Sequence, residues 1–169
     1  MSVTHLVSVK EYLSTAYRPD CDYVEGVLEE RNLGEHDHSL LHALLAEFLG
    51  PWSRKNGCKC LIEQRVQVRA DRFRIPDVCL IAKDDRDRIT RRPPLLCIEI
   101  LSPEDTHTRL VVRLDDYLAM GVPECWVIDP KLRRGYTYTH SGLIAAQEGV
   151  LTLTGTSLSV DLAPLFAQL

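Results

Sequence analysis

The 169 residues are 45% hydrophobic and 26% charged, the balance of an ordinary globular chain, which excludes disordered, collagenous and coiled-coil classes and suits a single domain over 1–169. The formal charge of -4 excludes a general electrostatic pull on nucleic acid, so any phosphate contact must come from local basic patches. No apolar stretch approaches the roughly 18 residues that span a bilayer, and no secretory signal or CxxC pair accompanies the six cysteines, which reads as a soluble, non-membrane chain with reduced thiols in a cytoplasm.

The chain opens with a short helix over 7–13 capped by Ser8, followed by the turn residues Arg18-Pro19-Asp20-Cys21-Asp22. Strand character follows over 23–30 around Gly26, and Leu33-Gly34-Glu35 breaks it. Over 36–48, Leu40, Leu41, Leu44, Leu45 and Phe48 recur at helical spacing, and Gly50-Pro51 stops the helix. Runs over 58–62, 64–68, 73–81 and 94–101 read as strands of one sheet. Cys58 and Cys60 share a strand face but lack the second pair a zinc site needs.

Between the last two strands lies the charged segment 84–92. Its arginines Arg86, Arg88, Arg91 and Arg92 form either a solvated loop or a track for a phosphate backbone. A second helix over 106–120, capped by Asp105 and ended by Gly121-Val122-Pro123, turns Leu110, Val111, Leu114, Tyr117 and Leu118 inward and Arg109, Arg113 and Asp116 outward. The run 124–130 is a buried strand ending in the Asp129-Pro130 turn. From 135 to 161 a meander turns at 140–142, 148–149 and 154–155, and 162–169 forms a last helical turn.

Two acids stand where this pattern wants apolar residues. Asp77 interrupts Arg74-Ile75-Pro76-Asp77-Val78-Cys79-Leu80-Ile81, and Glu99 interrupts Leu95-Leu96-Cys97-Ile98-Glu99-Ile100-Leu101. Carboxylates are rarely buried without a partner. Neighbouring strands would bring the two together at a sheet edge, where a hard divalent cation neutralises both; a structural ion pair of Glu99 with Arg113 or Arg74 is the alternative.

The order helix, β-meander with an acid on each of two strands, crossover helix, strand resembles the layout of the PD-(D/E)XK nuclease core. Tyr23-x-Glu25-Gly26, Pro76-Asp77-Val78, Glu99-Ile100-Leu101-Ser102-Pro103, Asp116-Tyr117, Gly121-Val122-Pro123-Glu124 and Trp126-Val127-Ile128-Asp129-Pro130 together resemble the Uma-two-type restriction endonuclease family. The resemblance implies an α/β (α+β) restriction-endonuclease-like core: a mixed central β-sheet flanked by helices, with a C-terminal β-meander. It also implies a divalent metal, Mg or Mn, and hydrolysis of nucleic acid phosphodiesters, with DNA the expected partner; a homodimer is the expected assembly as the default among soluble oligomers.

On this resemblance Asp77, Glu99 and the Ile100 carbonyl hold the metal, with Glu25 and His38 as further members of the site and His42 a lesser one. The family's lysine is replaced: its pattern of Asp, Lys and Tyr falls here on Arg109, Arg113 and Tyr117. Arg113 then acts as a fixed positive charge that cannot take a proton from water, and Arg109 joins the loop arginines in contacting nucleic acid. A fold that kept its shape and lost its chemistry would instead serve as a nucleic-acid- or protein-binding module.

Overall fold

A computed structural model describes residues 6–31 and 35–169. The expected break at Leu33-Gly34 lies outside the described residues. The apolar runs on either side of the charged loop form β6 (Val78–Ala82) and β7 (Leu96–Ile100), paired antiparallel with Val78 opposite Ile98. Both are central strands of a six-stranded sheet in the order β10-β9-β8-β7-β6-β3, built with β3 (Cys58–Ile62), β8 (Cys125–Asp129), β9 (Arg134–Thr139) and β10 (Gly142–Ala145). Near-continuous apolar sequence is what a strand covered on both faces requires.

One pairing is parallel, β7 with β8, and it needs a crossover. That crossover is α3 (His107–Met120), capped by Thr106, whose side chain accepts from the Arg109 N–H. Asp105, expected as the cap, instead accepts from the Ser102 N–H and hydroxyl in the preceding turn. The helix ends at Gly121 in the left-handed region, φ 109°, which a side chain resists. Its face turned to the sheet buries Leu110, Leu114, Tyr117 and Leu118 against Cys79, Cys97, Cys125 and Val127. Asp116, placed outward by the spacing, is buried as well, because two arginines meet it there.

The other face of the sheet is covered by α2 (His36–Lys55), by the pair β11 (Val150–Thr152) and β12 (Ser159–Asp161), and by α4 (Ala163–Phe166). The expectation that Gly50-Pro51 ends α2 is wrong: the helix carries Pro51 inside it. An interior proline costs about 3 kcal/mol, and the packing that follows it holds the helix on: past Pro51 the helix buries Ser53 and lays Trp52 against the apolar cluster that Leu41, Leu45 and Leu49 enter. Phe48, expected inward, is 44% exposed, its place taken by Leu49.

The strand runs expected to form one sheet divide between two. β4 (Val66–Arg69) and β5 (Arg72–Arg74) belong to a four-stranded sheet, β2-β1-β5-β4, with β1 (Cys21–Val24) and β2 (Val27–Glu30). The run 73–81 is broken at Ile75-Pro76-Asp77, since Pro76 has no N–H to offer a ladder. There the chain passes from one sheet to the other. Beneath α1 (Val9–Ser14), capped by Ser8 as expected, Tyr12, Tyr23, Phe73 and Ile89 close a small aromatic core.

Candidate active site

The Pro76 break places Asp77 at the junction of the two sheets, just before β6. One more step of the β6–β7 register sets it opposite Glu99, the penultimate residue of β7. The two acids stand in the middle of the six-stranded sheet, at one end of its strands and not at an edge. Both are buried, Asp77 2% and Glu99 3% exposed, and both line one cavity of about 40 Å³.

Asp77 is held from every side. Its Oδ2 accepts the Ile100 N–H at 2.7 Å and lies 3.5 Å from His38 Nε2, while its Oδ1 pairs with Arg31. Its carbonyl accepts from His42 Nε2, so the i, i+4 histidines of α2 both face this one residue. Burial pushes the Asp77 carboxyl up, but His38, Arg31 and the Ile100 N–H together outweigh it and hold it at about 2. The same contact raises His38 above its ordinary value against the opposing effect of burial.

Glu99 points to the α3 side, where the Tyr117 hydroxyl donates to Oε1 at 2.7 Å and Arg113 Nε lies 3.4 Å from Oε2. Burial raises its carboxyl to about 7, with the Asp77 charge adding to the rise and Arg113, Arg31 and Tyr117 opposing it. Arg113 also donates through Nη2 to Asp105 at 2.9 Å; its buried Nε has no hydrogen-bond partner among the described residues. A helical turn further on, Asp116 accepts from Arg72 and Arg74, and Arg74 reaches on to Asp22 and Glu29. This chain of charges fixes the turn of α3 that carries Arg113 toward Glu99.

The structure thus brings Asp77, Glu99, Ile100, His38, Arg113 and, at the exposed rim, Arg109 to one cavity. Glu25 is not among them. It sits at positive φ in the β1–β2 hairpin turn beside Gly26, half exposed, with its carboxylate on Arg69 and Arg72. The loop arginines are also apart from the cavity: Arg86 and Arg88 are exposed, Arg91 bonds Gln67, and Arg92 pairs with Asp84. Arg31, Asp22 and Asp105 escaped the sequence reading. Only Asp105 had a signal there, as the acid that closes a Ser-Pro turn.

Six acids (Asp22, Glu29, Glu30, Asp77, Glu99, Asp105) line the cavity against three arginines (Arg31, Arg109, Arg113). Arg74, behind the lining, takes up Asp22 and Glu29, so the hard oxygens that suit a cation are chiefly those of Asp77 and Glu99. Among the described residues no group of three or more His, Cys, Asp and Glu forms a ready cage. Two carboxylates with a backbone carbonyl are nevertheless the kind of partial set that a magnesium-like ion completes with water and substrate oxygens. An adjoining cavity of about 460 Å³ shares His38, Ser102 and Asp105 with the first and extends it toward Asp129 and Lys131.

The mixed sheet, its parallel β7–β8 crossover and the flanking helices define a restriction-endonuclease-like α/β protein. A family model described as "Uma2: Putative restriction endonuclease" matches residues 9–165, and the chain belongs to that family. Among solved structures it is similar to a "putative nuclease belonging to DUF820" from Anabaena variabilis, at 18% identity and TM-score 0.83, covering 95% of this chain and 98% of that one. A cryoEM structure of a "DrdV-DNA complex" matches at 16% identity and TM-score 0.40, over 74% of this chain and 11% of that one. No curated protein matches the chain.

Proposed function

We propose that the protein is a divalent-metal-dependent nuclease, using Mg or Mn to hydrolyse phosphodiester bonds of nucleic acid, with DNA as the substrate. The observation that carries this is the meeting of Asp77 and Glu99, from adjoining strands, in one acid-rich cavity with Arg113 beside them. Asp77, Glu99 and the Ile100 carbonyl would hold the ion, which supplies Lewis-acid polarisation of the phosphate and an activated water.

The chain's own groups divide the remaining work. Arg113, anchored by Asp105, offers a fixed positive charge to the oxygens on which negative charge develops, and a guanidinium does not surrender its proton. His38, next to Asp77, which raises its pKa above the ordinary value, is the cavity's imidazole and the side chain suited to hold and pass on a proton. Tyr117 orients Glu99 through its hydroxyl. We take the chain to work as one domain, as a homodimer able to address two strands, and in a reducing cytoplasm, where its six free cysteines would stay thiols.

The test is incubation of plasmid and single-stranded DNA and RNA with the purified protein and Mg²⁺ or Mn²⁺. Cleavage is expected, abolished by EDTA and reduced at least 100-fold in Asp77→Ala. If no nucleic acid is cut with either ion and calorimetry detects no ion binding, the reading fails. One observation favours a second reading, a binding module that retains the nuclease fold: Arg31 and Arg113 already neutralise both acids. That module would bind nucleic acid with equal affinity in wild type and Asp77→Ala.

A further inference from the structure

Arg31 directly follows β2, and its guanidinium lines the cavity beside the two acids. It pairs with Asp77 Oδ1, and its second nitrogen lies 3.9 Å from Glu63, an exposed carboxylate. Its side chain is 19% exposed. The contrast with Arg74 is instructive: that guanidinium is 1% exposed and is bound by Asp22, Glu29 and Asp116 together, so it is a fixture of the fold. Among the described residues Arg31 makes an ion pair with one buried acid, Asp77, and that acid is a proposed ligand of the ion.

Taking an oxygen of Asp77 away from Arg31 costs little only if another charge replaces the guanidinium there. A divalent ion does so, and Glu63 offers the displaced guanidinium a partner near the solvent. We infer that Arg31 is a built-in competitor of the divalent cation: the guanidinium stands in for the ion at Asp77 and is displaced when the ion loads. The inference rests on the metal-dependent reading above. By it, the cavity never carries two buried, uncompensated carboxylates, and affinity for the ion is set by an exchange of cations rather than by filling of a vacant cage.

The experiment is calorimetric titration of the full chain with Mn²⁺, comparing wild type, Arg31→Met and Asp77→Asn. Arg31→Met is expected to bind Mn²⁺ at least tenfold more tightly than wild type, and Asp77→Asn to lose binding. If Arg31→Met binds no more tightly while Asp77→Asn loses binding, the competitor role is overturned and the metal reading stands. If neither wild type nor Arg31→Met binds Mn²⁺ at millimolar concentration, the metal reading fails and takes this inference with it. Should Arg31→Met not fold, wild-type NMR decides, with saturation by Mg²⁺ followed at the Ile100 amide that bonds Asp77. The Arg31 side-chain N–H signals are expected to move with the Ile100 amide while those of Arg74 stay; Arg31 signals that stay at saturation overturn the proposal.

Discussion

Asp77 and Glu99 share a cavity, yet one is held at about 2 and the other raised to about 7. Asp77 gains three donors, whereas Glu99 meets the Asp77 charge as well as its own burial. The consequences for stability have opposite signs. Asp77 contributes stability above its ordinary range near 3.8, lost as pH falls toward 2. Folded Glu99 keeps a proton that the unfolded chain releases above about 4.5, so the metal-free protein loses stability as pH rises from there through 7. At about 1.4 kcal/mol per pH unit of displacement the loss is at most about 3–4 kcal/mol. Glu99→Gln is expected to flatten the fall in melting temperature between pH 5 and 8; an unchanged slope would show that Glu99 does not titrate there. Since Glu99 must shed its proton to bind an ion, Mn²⁺ affinity in wild type should also rise about tenfold from pH 6 to pH 8, as calorimetry at both values would reveal.

At this scale the two acids were legible in the sequence because each interrupts an apolar run. Arg31 was not, because its partner is 46 positions away and an arginine after Glu29-Glu30 looks like any solvated charge. Glu25 misled for a physical reason: Glu-Gly before a second strand is a hairpin turn, and the residue serves that turn.

Elements were readable where local chemistry and packing agree. Ser8 caps α1 and Gly121 ends α3 as their residue types dictate. Pro51 shows the opposite case, a local stop signal overridden by burial on either side of it. The division of strands between two sheets could not be read from alternation, which reports a strand's faces and not its neighbours. The backing of the sheet is similarly a matter of close approach. A Cβ on Gly135 of β9 would lie 2.3 Å from Leu162 and 3.1 Å from Leu151, in the layer formed by β11 and α4. Gly135→Ala should therefore destabilise the protein by about 1–3 kcal/mol, the usual range for overpacking, through displacement of that layer. Urea denaturation measures it, and a midpoint equal to wild type would mean that the layer yields freely.

At the scale of the whole molecule, the proposed nuclease would have to draw a polyanion to a chain of formal charge -4 with an acid-rich cavity. The loop arginines look in sequence like the means of attraction, but two of the four already face acids: Arg92 lies 3.1 Å from Asp84 and 3.7 Å from Asp85, and Arg91 lies 3.9 Å from Asp87. Arg109 is differently placed, on the exposed side of α3 at the cavity rim, where a phosphate entering toward Arg113 would meet it. A side chain that neutralises one phosphate adds about 0.9 to the dependence of log affinity on log salt. Measured in EDTA to prevent cleavage, Arg109→Ala is expected to lower that slope by close to this amount and to weaken DNA binding. Arg92→Ala, which removes a charge together with the screening of Asp84, should change the slope by less than half as much. Equal effects of the two substitutions would instead place the DNA along the loop and away from the cavity that α3 overlooks.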